Sequence, residues 1–258
     1  MSVWDPRVYL QFAGERERPF WELVNRIPHA KPRLVVDLGC GPGTATVGLC
    51  DRWPEAVIVG VDNSAPMIER AGALAVPGRL SFVQDDLRTW KPTAAPDVIV
   101  SNAALQWVPG HVGLFEGWLS SLGPDGVFGF SVPGNFDAPS HTLLRDVVSS
   151  PRWAERLGGA RDVPGVLDPG RYLDRLHALG ATVDAWETTY QQVLSGPDPV
   201  FEWVTGTALR PYLAVLDHAS AMEFSEQYRV ALAEAYPSDE QGRTVFPFRR
   251  IFVVARRG

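Results

Sequence analysis

The sequence predicts an α/β protein, a mostly parallel sheet with helices between its strands and helical insertions in the second half of the chain. Three observations carry this expectation. Short apolar runs alternate with helical stretches from Leu34 to about Leu119, the rhythm of βαβ units. The first run opens onto glycines at three alternate positions, Gly39, Gly41 and Gly43. Acidic or amide residues then stand at the ends of successive runs: Asp37, Asp62, Asp86 and Asn102.

Each element has a local reason. The N-terminal segment carries Trp4, Tyr9 and Phe12 ahead of Arg16 and Arg18, and Pro19, a residue suited to a first helical turn, predicts a helix from there to about Ile27. Arg33-Leu34-Val35-Val36 forms the first strand, and Thr44 to Leu49 begins a helix after the glycines. Ala56 to Val61 is a continuous apolar strand closed by Asp62. Leu80 to Val83 is the third strand, followed by Asp85-Asp86-Leu87, and Val98 to Val100 is the fourth, ending at Ser101-Asn102. Leu122-Gly123-Pro124-Asp125-Gly126 turns into a fifth strand, Val127 to Val132. Beyond Pro133, helices are expected around Ser140 to Ser149 and Pro169 to Leu179, then a strand near Thr182 to Tyr190 and helices over Pro199 to Thr207 and Ser220 to Tyr236. The last strand, Phe246 to Ala255, puts Phe246, Phe248, Arg250 and Phe252 on one face by the period of two.

At 258 residues, 45% hydrophobic and 21% charged, the chain is expected to be a single domain, residues 1–258. Its core would take residues of about 30–133 with the strands near 182–190 and 246–255. Residues 1–29, 134–181 and 191–245 would form a cap, since structured insertions of such length are often functional lids. A formal charge of −6 speaks against a nucleic-acid partner. No apolar stretch approaches the ~20 residues of a membrane span, and the opening residues have no leader character, so the expected location is the cytoplasm. Cys40 and Cys50 read as small core residues, and the five histidines lack zinc-ligand spacing, so no metal is expected.

The glycines lie at a strand-to-helix turn, where open α/β sheets hold nucleotides. A dinucleotide fingerprint has Gly-x-Gly-x-x-Gly, whereas the spacing here is Gly-x-Gly-x-Gly with Asp37 two residues before it. An acid is out of place beside a pyrophosphate. It suits a cationic ligand, because opposite charges a few Å apart attract by roughly 4 kcal/mol at intermediate dielectric. S-adenosylmethionine carries an ammonium and a sulfonium and meets that description. Asp62, with Asn63 beside it, is then placed for the ribose hydroxyls, Asp86 with Leu87 for the adenine, and Asn102 completes the row at the fourth strand.

Asp37-Leu38-Gly39-Cys40-Gly41-Pro42-Gly43 resembles the first motif of the class I S-adenosylmethionine-dependent methyltransferases, with Asp62, Asp86-Leu87 and Asn102 at the next three motif positions. The likeness extends to the trans-aconitate 2-methyltransferase family through Trp4-Asp5-Pro6, Tyr9-Leu10, Phe12, Glu15-Arg16, Arg18-Pro19, Leu105-Gln106-Trp107, Trp203-Val204-Thr205, Leu209-Arg210-Pro211 and Val254-Ala255-Arg256-Arg257. That resemblance implies a Rossmann-like sheet of seven strands with the last antiparallel, S-adenosylmethionine as cofactor, and methyl transfer to one carboxylate of trans-aconitate. It also implies that Gly39, Gly41 and Gly43 lie along the cofactor, Asp62 on its ribose, and Asp86 with Leu87 at its adenine.

The chemistry asks little of side chains. A carboxylic acid with a reference pKa of about 4 is already ionised at neutral pH, so no general base and no catalytic residue is expected. Rate would come from placement, which can supply roughly 7–11 kcal/mol. An arginine forked onto the non-reacting carboxylates would hold the substrate without weakening the nucleophile. Arg16, Arg210 and Arg250 are the candidates, with Tyr9, Phe12 and Trp107 as walls and Gln106 beside them; Arg18 serves either this group or the cofactor carboxylate. Two other readings stay open. One methylates carbon or oxygen of an uncharged metabolite and needs an apolar pocket in place of the arginines; the other is a non-catalytic module that binds S-adenosylmethionine.

Overall fold

The computed structural model describes residues 13–157, 165–206 and 208–258, with side chains from Glu17 onward. These residues divide into two compact units: 17–133, 165–188 and 250–258 in one, and 13–16, 134–157, 189–206 and 208–249 in the other.

Helix α1 (Ala13–Arg26) precedes β1 (Leu34–Leu38), α2 (Thr44–Arg52), β2 (Val57–Asp62), α3 (Ala65–Gly72), β3 (Leu80–Gln84) and β4 (Val98–Asn102). Two 3-10 turns, Leu105–Trp107 and His111–Leu114, and α4 (Phe115–Ser121) lead to β5 (Val127–Pro133). With β6 (Thr182–Ser195) and β7 (Arg243–Arg256) the sheet has seven strands in the order β3-β2-β1-β4-β5-β7-β6. Strand β1 pairs in parallel with β2 and β4, β2 with β3, and β4 with β5. Strand β7 lies antiparallel to β5, with Phe128 opposite Ala255 and Pro133 opposite Arg250, as the resemblance implies.

Strand position follows from apolar content. Val35, Val36, Val98, Ile99, Val100, Phe128 and Phe130 are all buried, so β1, β4 and β5 read as unbroken hydrophobic runs, as strands covered on both faces do. Edge strand β3 leaves Val83 exposed. Phe115, Trp118, Phe128, Phe130 and Tyr172, the last from α7 (Pro169–His177), form an aromatic core, with the Phe128 and Phe130 centroids 5.2 Å apart. His111 Nε2 and Tyr172 Oη share a hydrogen bond of 2.8 Å within it. Burial pushes the tyrosine up to about 12 and holds the histidine below its ordinary value.

Two expectations need correction. The helix expected to begin at Pro19 is already present at Ala13, with Pro19 in its interior. Proline removes one bond from the helical ladder. Strong helix formers from Glu15 to Arg18 and the burial of Phe20, Leu23, Val24 and Ile27 offset that loss. Leu23 and Ile27 pack on Gly129 of β5, and the Trp21 ring covers Gly48 of α2. Glu22 accepts hydrogen bonds from Trp186 Nε1 at 3.1 Å and Thr188 Oγ1 at 2.5 Å, tying α1 to the first half of β6. The second correction concerns strand length. Strand β7 starts at Arg243 rather than Phe246, and β6 continues to Ser195, because burial still alternates there: Tyr190, Gln192 and Leu194 inward on β6, Thr244 and Phe246 inward on β7, with Val193 and Val245 exposed. From Arg250 to Ala255 the alternation ends and consecutive residues are buried.

The second unit contains α5 (Pro139–Ser149), α6 (Ala154–Leu157), α8 (Pro199–Thr205), α9 (Arg210–Leu213) and α10 (His218–Ala235). Thr207 lies outside the described residues, as do Trp4, Tyr9 and Phe12. The core of this unit is built on Trp153, Trp203, Phe224, Tyr228 and Phe246. Trp153 is fully buried, donates from Nε1 to Gln227 Oε1 at 2.8 Å, and meets Phe224 edge-on at 5.4 Å. Trp153→Ala is expected to cost about 3–5 kcal/mol, the usual range for removing a buried aromatic. Thermal denaturation checks it, and an unchanged transition would deny Trp153 that role.

Candidate functional site

The three glycines of the turn after β1 all have positive φ, +82° at Gly39, +56° at Gly41 and +78° at Gly43, a region that side chains with a Cβ enter at a cost. Their surroundings separate their roles. A Cβ on Gly39 would overlap the Cβ of Ala104, so the turn after β4 presses directly on it. A Cβ on Gly43 would lie 2.7 Å from the ring of Phe82, which also crowds Gly60 at 2.6 Å. A Cβ on Gly41 would meet nothing within 4 Å. Gly39 and Gly43 thus serve close packing, and Gly41 offers bare main chain to whatever lies outside.

The turn is pinned from β2. The N–H groups of Gly39 and Cys40 donate to Val61 O at 2.7 and 3.0 Å, and Gly41 N–H donates to Asp62 Oδ2 at 3.0 Å. Asp62 Oδ1 accepts from Ser64 N–H at 2.9 Å. Gly43 precedes α2 and gives it no side-chain cap, a kind of helix start that favours an anionic group.

Asp37 is not at the strand tip. It lies within β1, opposite Gly60 of β2 and Val100 of β4, and is 3% exposed. Burial pushes its carboxyl up to about 7; the 2.6 Å hydrogen bond from Thr46 Oγ1 opposes that shift, and the charge of Asp62 adds to it. Asp86 sits two residues past β3, gripped by Arg88 through contacts of 2.5 to 3.0 Å, and these hydrogen bonds hold its carboxyl down at about 2. Leu87 is buried, with Cδ2 4.0 Å from where a Gly39 Cβ would stand. Asn102 closes β4, its Oδ1 accepting from Ser131 Oγ at 2.5 Å. Asn63 is exposed beside Asp62.

The structure therefore gathers Gly39, Gly41, Gly43, Asp62, Leu87 and the turn after Asn102, with Asp37 buried among them. Gln106 and Trp107 belong to the same 3-10 turn, Gln106 buried and Trp107 51% exposed. Arg18 is exposed on α1, and Arg250 is 7% exposed on β7 opposite Pro133. Arg210 is exposed at the start of α9 in the other unit. Arg16 lies in α1, its side chain outside the described ones.

Sequence reasoning overlooked several partners. Thr46, Phe82 and Ala104 act on Asp37, Gly43 and Gly39. Ser101 Oγ donates to Leu38 O at 2.7 Å, tying the ends of β4 and β1 together. Ala103 has φ +54°, and nothing in its identity signals that. A cavity of about 790 Å³ lies between the Arg88–Ala95 loop and Gly113, Gly117 and Trp118; neither the glycine turn nor Asp62 lines it. Among the described residues, no group of three or more His, Cys, Asp or Glu is placed to hold a metal ion, and no helix is long and apolar enough to cross a membrane.

Comparison with known proteins identifies the family and the fold. A family described as a methyltransferase domain matches residues 35–126, which run from β1 to the start of β5. The chain is 52% identical to a trans-aconitate 2-methyltransferase of Streptomyces coelicolor over 264 residues, covering 99% of this chain and 87% of that protein. It is 50% identical to the one of Rhodococcus jostii, covering 98% and 99%. Among solved structures, a putative methyltransferase from Bacillus halodurans superposes with a TM-score of 0.58 at 13% identity, covering 95% of this chain and 99% of that one. At that identity the likeness is one of fold.

Proposed function

The chain belongs to the trans-aconitate 2-methyltransferase family, and from that premise we propose that it transfers the methyl group of S-adenosylmethionine to one carboxylate of trans-aconitate, or of a closely similar polycarboxylate. The products are a monomethyl ester and S-adenosylhomocysteine. The observation that carries this reading is that the likeness to relatives of that name runs through 99% of the chain, well beyond the cofactor motifs shared by a large superfamily.

The residues of the turn fit the cofactor. Gly41 leaves main chain open, the first donors of α2 suit the cofactor carboxylate, and Asp62 retains lone pairs for ribose hydroxyls after accepting from Gly41 and Ser64. Asp37 is a buried acid that a cationic ligand would favour in its charged form. Asp86, oriented by Arg88, and Leu87 would flank the adenine. When bound, the cofactor supplies an electrophilic methyl group on a sulfonium.

The acceptor's carboxylate, already ionised at neutral pH, would itself be the nucleophile toward that methyl group. No proton moves, so no side chain acts as a base. The chain contributes by alignment and by excluding water, which strengthens the attraction between carboxylate and sulfonium. Arg16, Arg210 and Arg250 are each proposed as a candidate for holding a non-reacting carboxylate, Tyr9, Phe12 and Trp107 each as a candidate apolar contact, and Arg18 as a candidate for a carboxylate of cofactor or substrate. Loss of a charge-assisted hydrogen bond costs about 1.5–3 kcal/mol, so Arg210→Ala and Arg250→Ala should raise KM for trans-aconitate about 10- to 100-fold while moving kcat less. Unchanged KM in both, and in Arg16→Ala, would remove the arginines from the binding role.

Incubation with labelled methyl donor and a panel of di- and tricarboxylates, followed by mass analysis, tests the reaction and the acceptor together. A monomethyl ester of trans-aconitate formed faster than any other ester is expected. Cofactor binding without ester formation from any carboxylate would overturn the assignment.

A further inference from the structure

Gln106 lies at the centre of the 3-10 turn that follows β4, and its side chain is 8% exposed. Its Nε2 donates to Ala103 O at 2.6 Å, whereas Oε1 is buried with no hydrogen-bond partner. The two ends of the amide are not interchangeable. Turned over, the oxygen would stand against the Ala103 carbonyl, two acceptors facing each other. The backbone beneath is held firmly: Ala103 takes φ +54°, its N–H donates to Ser131 O at 2.9 Å, and Ala104 presses on Gly39 of the glycine turn. Gln106 is therefore a fixed acceptor, two residues from the contact that Ala104 makes with the glycine turn.

A buried polar atom without a partner is uncommon, and it points to a ligand or an ordered water. The polarity of this atom discriminates between ligands. Every oxygen of an ionised polycarboxylate accepts, so a carboxylate opposite Oε1 would pair like with like. The methionine portion of S-adenosylmethionine offers the opposite polarity, in its ammonium N–H groups and in the C–H groups polarised by the sulfonium.

We propose that Gln106 binds the cofactor rather than the substrate, its Oε1 accepting a positively polarised hydrogen from the methionine portion of S-adenosylmethionine. This rests on the function proposed above and replaces the substrate contact expected from the sequence.

Gln106→Met keeps the volume and removes the acceptor, and Gln106→Ala serves as a second variant should the first pack poorly. Titration calorimetry with S-adenosylmethionine and with S-adenosylhomocysteine, melting of the free protein, and KM for trans-aconitate are measured on each. The expected result is cofactor affinity weaker by about 10- to 100-fold, the scale of a lost hydrogen bond to a charged partner, with free-protein melting little changed because loss of the Nε2 bond to Ala103 O is offset by removal of the unsatisfied Oε1, and with little change in KM for the carboxylate at saturating cofactor. An equal loss for both nucleosides assigns the donor to the ammonium, and a loss for S-adenosylmethionine alone assigns it to the sulfonium. Unchanged affinity for both overturns the inference, as does a rise confined to the KM of trans-aconitate. Failure of the functional reading looks different: the unaltered chain would bind cofactor and form no ester, while the affinity loss in the variants would stand.

Discussion

Alanine at Gly39 is expected to leave a folded chain that binds S-adenosylmethionine about 10- to 100-fold more weakly, the equivalent of the roughly 1–3 kcal/mol that overpacking costs, whereas alanine at Gly41 should weaken it far less. Both positions have positive φ, so both pay about 1–2 kcal/mol for a Cβ in the left-handed region. Only Gly39 adds an overlap with Ala104, and forced overpacking of that kind costs about 1–3 kcal/mol more. Ala104 has nowhere to retreat, because Ala103 is bonded to Ser131 of β5 and Ser101 is bonded to Leu38. The glycine turn must move instead, carrying with it the bare main chain at Gly41. Melting should fall in step, by about 2–4 °C per kcal/mol for a chain of this size, and by more in Gly39→Ala than in Gly41→Ala. If the two variants melt together and bind cofactor alike, the contact between the turns after β1 and β4 does not shape the site.

Cofactor binding near neutral pH is expected to release a proton, and Asp37→Asn is expected to abolish that release. Burial raises the Asp37 carboxyl to about 7, so below that value the folded chain holds a proton that the unfolded chain loses near 4. Between about 4 and 7 the native state therefore binds more protons than the unfolded one, and this group's contribution to stability falls as pH rises through that window. That rise corresponds to roughly 4 kcal/mol, which Asp37→Asn should remove, flattening the decline in stability between about pH 4 and 7. A ligand carrying ammonium and sulfonium groups favours the carboxylate, so its affinity should rise from pH 6 to 8. Calorimetry at pH 6.5 in two buffers of different ionisation enthalpy measures the proton directly. Equal release from Asp37→Asn and the unaltered chain would assign it to another group.

The parts legible in the sequence are those whose signal is local. Strands β1, β2, β4 and β5 were marked by unbroken apolar runs, and a strand covered on both faces has little choice of composition. The glycine turn was marked by residues that only a positive φ requires. Pro19 misled because a first-turn signal and an interior proline look alike until the burial of Phe20, Leu23 and Ile27 is known. The far ends of β6 and β7 were hidden because Gln192 and Thr244 occupy inward positions where an apolar residue would have announced the strand.

By itself the sequence determined the βαβ order, the turn after β1 and the acids beside it, since all of these follow from periodicity and from backbone preferences within a few residues. The count of seven strands and the antiparallel last strand came from family resemblance rather than from any spacing, and the strand order came from the structure. Tertiary structure alone decided that Gly39 answers to Ala104, Gly43 to Phe82 and Asp37 to Thr46. The placement of β1 between β2 and β4 makes these meetings, and it also withdraws water from Asp37. The reason is that packing and desolvation depend on neighbours distant along the chain, and no local pattern names them.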